Sequence, residues 1–203
     1  MLRVGLTGSI AVGKSFVASI FVELGCHVVD ADHTAREVVR PRSPGLQAVV
    51  NAFGREILNP DGTLNRQALG ALVFADEKKR QQLNYLLHPF IIARQDEILR
   101  EWEKEDPNGI GIVEAALMIE SGGYKRFDKL VVVHCRPEVQ LERLLLRSGL
   151  SRDAAQRRID SQMSQEEKQK FADFLIDTSD GFELTRNRTI EVYKKLQRKE
   201  AKE

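Results

Sequence analysis

Lysine followed by serine directly after a glycine, with a second glycine five residues earlier, makes Gly8, Gly13, Lys14 and Ser15 the residues best equipped for chemistry in this chain. The string over 8–15, GSIAVGKS, is the GxxxxGKS pattern of a phosphate-binding loop. Glycines at both ends let the backbone curl so that successive N–H groups face inward, while a helix starting near Lys14 aims its positive dipole end at the same point. Lys14 would reach the β- and γ-phosphates and Ser15 would hold Mg²⁺. The chain is therefore expected to bind a nucleoside triphosphate with Mg²⁺. A glycine turn followed by a solvated lysine is the competing structural reading, and the flanking pattern weighs against it.

Other side chains could complete a phosphoryl-transfer site. Such chemistry gains from a carboxylate within hydrogen-bond reach of the acceptor hydroxyl. Asp30 and Asp32 follow a second apolar run, and Asp32 is the expected base. The alternative is that both merely end a strand and cap the next helix. Glu114 closes a later apolar run, the position from which an acid helps to organise Mg²⁺. Glu120 competes for that role or for one toward substrate, and either acid could instead be a surface residue capping a helix. Arg143, Arg147, Arg152, Arg157 and Arg158 have the composition of a lid whose guanidinium groups offset charge in the transition state. Helical spacing places Arg143 and Arg147 on one face. Pairing with Glu142, Asp153 and Asp160 on a solvated helix is the alternative.

Positioning these groups requires strands that end at them. Residues 3–7 read as a short buried strand leading into the loop. Val17, Ile20, Phe21 and Leu24 then recur on one helix face until Gly25 stops it. Further strands are expected at 27–30, at 109–114 and 129–134, these two each too apolar to be half exposed, and a last short one at 174–177; strands buried on both faces and separated by helices imply a parallel sheet. Ligands of such sheets sit off the carboxyl ends of the strands, so the phosphate loop and Asp30–Asp32 should project toward one cleft. The stretch from Asp32 to about Trp102 is helical, with helices expected at 66–74, 77–87 and 89–102, and turns at 59–62 and at His88–Pro89. Residues 137–171 read as helical and arginine-rich, and 182–203 as an amphipathic helix ending in solvated charge.

The expected fold class is α/β, a P-loop NTPase. It has a parallel β-sheet core with helices on both faces, a helical substrate-binding insertion and an arginine-rich helical lid. The expected division is one kinase domain with core 1–32, 109–136 and 173–203, insertion 33–108 and lid 137–172. With 203 residues, 42% hydrophobic and 30% charged, composition is that of an ordinary globular domain. A net charge of +1 offers no field to attract nucleic acid or membrane. No apolar run approaches the ~20 residues of a membrane span and no signal peptide is evident, so a cytoplasmic location is expected. Cys26 and Cys135 lack CxxC spacing and are expected to be buried reduced thiols.

One ordered string of motifs is more specific than the phosphate loop. It runs through Gly5 to Gly8 into the loop, Val29 to Asp32, Ala35 to Val39, Phe53–Gly54, Ile57–Leu58, Asp61–Gly62, Arg66 and Leu87 to Pro89. It continues through Glu120, Tyr124, Pro137 to Arg143, Arg147, Leu150 to Arg152, Gln162, Ala172–Asp173 and Ile176–Asp177. Over most of the chain this string resembles the dephospho-CoA kinase family. The resemblance implies ATP-dependent phosphorylation of the ribose 3′-hydroxyl of dephospho-CoA, giving CoA and ADP in the last step of CoA biosynthesis. It implies that residues Ala11, Val12, Gly13, Lys14, Ser15 and Phe16, with Gly8, hold the ATP phosphates, joined by Arg143 and Arg147. Asp32 would be the base, and Arg66, His88 and Glu120 would line or support the acceptor side, although His88 before proline also reads as a turn residue. Lid closure would exclude water and suppress ATP hydrolysis. No obligate protein partner is implied.

Three departures from the family pattern stand out. Phe16 occupies a position that is usually Thr or Ser, Asn65 one that is usually Asp, and 115–120 replaces a proline-led segment ending in Phe-Glu. A nucleoside or nucleotide kinase of the same fold is the alternative reading. A regulatory GTP-binding switch is disfavoured, because no Asn-Lys-x-Asp segment is present.

Overall fold

The computed structural model describes residues 1–198, which fall into two compact units. One is Met1–Val29 with the chain from Trp102 onward; the other is Asp30–Glu101. In the first unit, β1 (Leu2–Thr7), β2 (His27–Asp30), β3 (Ile110–Glu114), β4 (Lys129–His134) and β5 (Phe174–Asp177) form a five-stranded sheet of order β2-β3-β1-β4-β5. The β1–β3, β1–β4 and β4–β5 pairs are parallel. The residues of β1, β3 and β4 are almost continuously apolar because a strand covered on both faces has no solvent side to supply, whereas the edge strands β2 and β5 are only partly buried. Val4, Leu6, Ile112, Val131, Val133 and Ile176 are buried in one cluster with Val17 and Phe21. Those last two lie on α1 (Lys14–Glu23), which packs alongside α9 (Phe182–Gln197). The end of the expected tail helix, 199–203, lies outside the described residues.

The expected strands recur with shifts of one residue at 2 and 110. The arginine-rich stretch divides into α6 (Pro137–Ser148), α7 (Arg152–Asp160) and α8 (Gln165–Gln169), all within the first unit. Gly149 in the left-handed region ends α6. Ser151 and Ser164 cap the next two helices, the latter in a full capping box with Glu167.

The second unit contains α2 (Ala31–Glu37), α3 (Pro44–Phe53), α4 (Arg66–Ala75) and most of α5 (Glu77–Glu105). Its own core joins Val39, Leu46, Val49, Phe53, Ile57 and Leu69. Ser43 caps α3 through the Leu46 N–H, and Asn65 caps α4 through the Ala68 N–H at 2.9 Å. The unusual Asn65 therefore supplies an acceptor that an aspartate would supply equally. The turn at 59–62 is present, closed by the Gly62 N–H on the Asn59 carbonyl.

The turn expected at His88–Pro89 is not present, and the two helices expected on either side are one, α5, with Pro89 inside it. Proline removes one helical hydrogen bond and crowds the preceding turn, yet the helix continues when packing of its face outweighs that loss. Leu83, Leu86 and Leu87 pack against the second unit's core and carry α5 up to the proline.

Candidate functional site

β1 ends at Thr7 and the chain turns at Gly8, whose missing Cβ lets it approach β4. A Cβ there would stand 2.4 Å from the Val133 carbonyl oxygen. Ala11 adopts φ 61° and Gly13 φ 87°. A left-handed alanine is uncommon, and such strain collects where backbone is bent for binding. α1 then begins at Lys14, so the helix terminus is aimed where an anion can meet it. The expected loop geometry is thus present from Gly8 to Ser15.

Lys14 Nζ donates to Glu114 Oε1 at 2.9 Å, and Ser15 Oγ donates to the same oxygen at 3.2 Å. Glu114, at the end of β3, is only 7% exposed, which excludes its alternative as a surface acid. A buried carboxylate needs such partners, and these are the two side chains the sequence assigned to phosphate and metal.

The loop is held from outside by side chains. Gln140 Nε2 donates to the Ile10 carbonyl and the Ile10 N–H donates to Gln162 Oε1, both at 2.8 Å. Gln165 joins the set by donating to Gln140 Oε1 and accepting from the Cys135 N–H. On the other side Thr178 Oγ1 donates to the Val12 carbonyl at 2.7 Å, while Arg143 donates to both the hydroxyl and the carbonyl of Thr178. Arg143 thus reaches the loop through Thr178, with Nη1 3.4 Å from the place a Gly13 Cβ would occupy. Phe16 packs edge to face on Phe182, centroids 4.9 Å apart, and Phe182 remains 75% exposed.

Arg147, Arg152, Arg157 and Arg158 are exposed. None forms an ion pair with Glu142, Asp153 or Asp160 among the described residues. Glu120 is exposed but caps no helix. It accepts from Lys168 Nζ at 2.9 Å and from the Met163 N–H at 3.3 Å. Lys168 itself is 0% exposed and also donates to the Ala116 carbonyl at 2.7 Å. Burial pushes its ammonium below the usual lysine value, and Glu120 opposes that shift. Sequence reasoning missed Lys168, because a lysine among Glu166, Glu167 and Lys170 reads as solvated; the isolated helical pattern of the short α8 gives no sign of burial.

Within the second unit, Asp30 is the N-cap of α2, its carboxylate accepting from the Asp32 N–H at 2.8 Å. The capping alternative therefore describes Asp30. Asp32, in the first turn, is exposed, and its carboxylate has no partner among the described residues. Arg66 opens α4 and is exposed, whereas His88 is half-buried inside α5. Cys26 and Cys135 are free and buried, and burial pushes the Cys26 thiol up to about 12. No cluster of His, Cys, Asp and Glu among the described residues could hold a metal by itself.

The family model described as dephospho-CoA kinase matches residues 2–183. Dephospho-CoA kinase of Listeria monocytogenes serotype 4b is 41% identical over 195 residues, covering 95% of this chain and 96% of the relative. That of Mycolicibacterium paratuberculosis is 43% identical over 179 residues, 88% of this chain but only 43% of the longer relative. The solved dephospho-CoA kinase from Campylobacter jejuni superposes with a TM-score of 0.73 at 31% identity, covering 96% of each chain.

Proposed function

This chain belongs to the dephospho-CoA kinase family, and from that premise we propose how its residues divide the work of the reaction. The activity is ATP-dependent phosphorylation of dephospho-CoA. The acceptor atom is the ribose 3′-hydroxyl, and the products are CoA and ADP. The phosphate loop from Gly8 to Phe16 holds the ATP phosphates through backbone N–H groups, and Lys14 leaves Glu114 to contact the β- and γ-phosphates. The observation that carries this reading is the convergence of Lys14 and Ser15 on one oxygen of the buried Glu114.

Two of these groups, Ser15 and Glu114, fit Mg²⁺. A serine hydroxyl and a carboxylate 3.2 Å apart are hard oxygen donors, and Mg²⁺ takes one or two of these with phosphate and water completing its shell. Ser15 would hold the ion and Glu114 would orient its waters; bound there, it supplies neutralisation of phosphate charge.

Asp32, exposed and unpartnered in the first turn of α2, accepts the proton of the acceptor hydroxyl. Arg66, His88 and Glu120 line or support the acceptor side. Arg143 and Arg147 contact the phosphates, and the helices at 137–172 act as the lid that excludes water. Among the described residues no helix is long and apolar enough to cross a membrane, and an ATP-using enzyme with reduced buried thiols suits the cytosol.

The deciding experiment measures ADP release with Mg²⁺ and ATP in the presence of dephospho-CoA, adenosine, nucleoside monophosphates or no acceptor, with product mass determined. Stimulation by dephospho-CoA alone, yielding 3′-phosphorylated CoA, is expected. Equal stimulation by a nucleoside would overturn the acceptor assignment while leaving the phosphate site intact.

A further inference from the structure

Lys168 carries a charge that the fold itself does not require. α8 is a five-residue helix, and its inner face could be filled by an aliphatic side chain at no desolvation cost, as buried ion pairs often can be. Instead an ammonium 0% exposed is held by the Glu120 carboxylate at 2.9 Å and the Ala116 carbonyl at 2.7 Å. The charge of Lys14 also acts on it, so the two ammonium groups share one field.

The bonds made around it form a closed ring. Thr7 Oγ1 donates to the same Ala116 carbonyl at 3.3 Å, Glu120 accepts from the Met163 N–H, and the Met163 carbonyl accepts from Ser9 Oγ at 3.4 Å. Thr7 and Ser9 flank Gly8, so the ring closes on the entrance to the phosphate loop. It also fixes the chain two residues after Glu114, whose carboxylate meets Lys14 and Ser15.

We propose that Lys168 is a positioning residue of the phosphate site, acting through the 114–120 connection to set Glu114 against Ser15 and to hold the 163–168 segment on the phosphate loop. The proposal rests on the reading of Ser15 and Glu114 as the metal-side groups. Removing the ammonium leaves the Ala116 carbonyl with only the longer bond from Thr7 and leaves Glu120 without its cation, so the connection relaxes and Glu114 loses its register with Ser15. The consequence falls on the part of nucleotide affinity that depends on Mg²⁺, whereas a purely structural anchor would alter only the amount of folded protein.

The test is calorimetric binding of ADP with Mg²⁺ and again in EDTA, on the wild type and on Lys168→Met, Glu120→Gln and Glu114→Gln, with thermal melts of each. The quantity read is the ratio of the two Kd values. Lys168→Met is expected to lower the gain from Mg²⁺ roughly tenfold, the scale on which groups behind a metal ligand act. Glu120→Gln should move it in the same direction by less. A folded Lys168→Met protein with the wild-type ratio overturns the proposal, and if that variant does not fold, an unchanged ratio in Glu120→Gln does so. An unchanged ratio in Glu114→Gln overturns the metal-side reading, and this proposal with it. Because no acceptor is present, the result is independent of whether Asp32 is the base.

Discussion

At the residue scale, the roles assigned to single groups separate binding from chemistry. Asp32→Asn keeps shape and the capped α2 turn but removes a proton acceptor, so kcat should fall by about 10²–10⁴-fold while ADP affinity stays unchanged. Steady-state turnover alongside calorimetry checks both halves; turnover near wild type would show that Asp32 is not the base. Gly8→Ala tests the other end of the loop. Its Cβ would meet the Val133 carbonyl at 2.4 Å, backbone that cannot swing away, so a loss of about 1–3 kcal/mol is expected in urea denaturation. The loop residues and the acids were legible because their types and spacing are fixed by phosphate chemistry. Lys168 was not, since burial is decided by what packs over a helix.

Elements explain a second group of outcomes. Pro89 lies inside α5, so Pro89→Ala restores a helical N–H and removes crowding, and should raise stability by about 1–3 kcal/mol. Chemical denaturation of the variant checks this, and no gain would mean that proline's stiffening of the unfolded chain offsets the clash. The break expected there followed a sound local rule that packing overrode. In α6, Arg143 and Arg147 share a face but not a role in the fold. Arg143 is bonded to Thr178, whereas Arg147 is exposed. Arg147→Ala should therefore change stability by no more than about 0.5 kcal/mol yet lower kcat/KM for ATP by roughly 10²-fold, if its guanidinium meets developing charge. Wild-type kinetics would assign Arg147 to the solvated surface.

For the whole molecule, acid sensitivity follows from the ends of β4 and β5. Burial holds the His134 imidazole below its ordinary value of 6.5, Arg188 adds to this and Asp177 opposes it. The unfolded chain then binds a proton that the fold refuses, so stability is complete above about pH 6.5 and is lost as pH falls toward the folded value. Burial works to raise the Asp177 carboxyl, but Ser179 hydrogen bonds, His134 and Arg188 outweigh it and hold it below its usual value. Its contribution is present above about pH 4 and disappears as pH falls through the lowered folded value. Urea denaturation from pH 8 to pH 3 should thus show a first decline below pH 7, removed by His134→Gln, and a second below pH 4. A single decline confined to the carboxylate range would refute the histidine component. By itself the sequence determined the phosphate loop, the parallel strands and the helical stretch between them, because backbone curvature, two-sided burial and helical periodicity are written in local residue order. Only the tertiary structure decided that Lys14 and Ser15 meet on Glu114, that Gln140 and Gln162 grip the loop with Gln165 bracing Gln140, and that Lys168 is buried against Ala116 and Glu120. Those contacts join residues up to 152 positions apart in the chain, and which distant side chains close on one another is set by how the strands and helices stack.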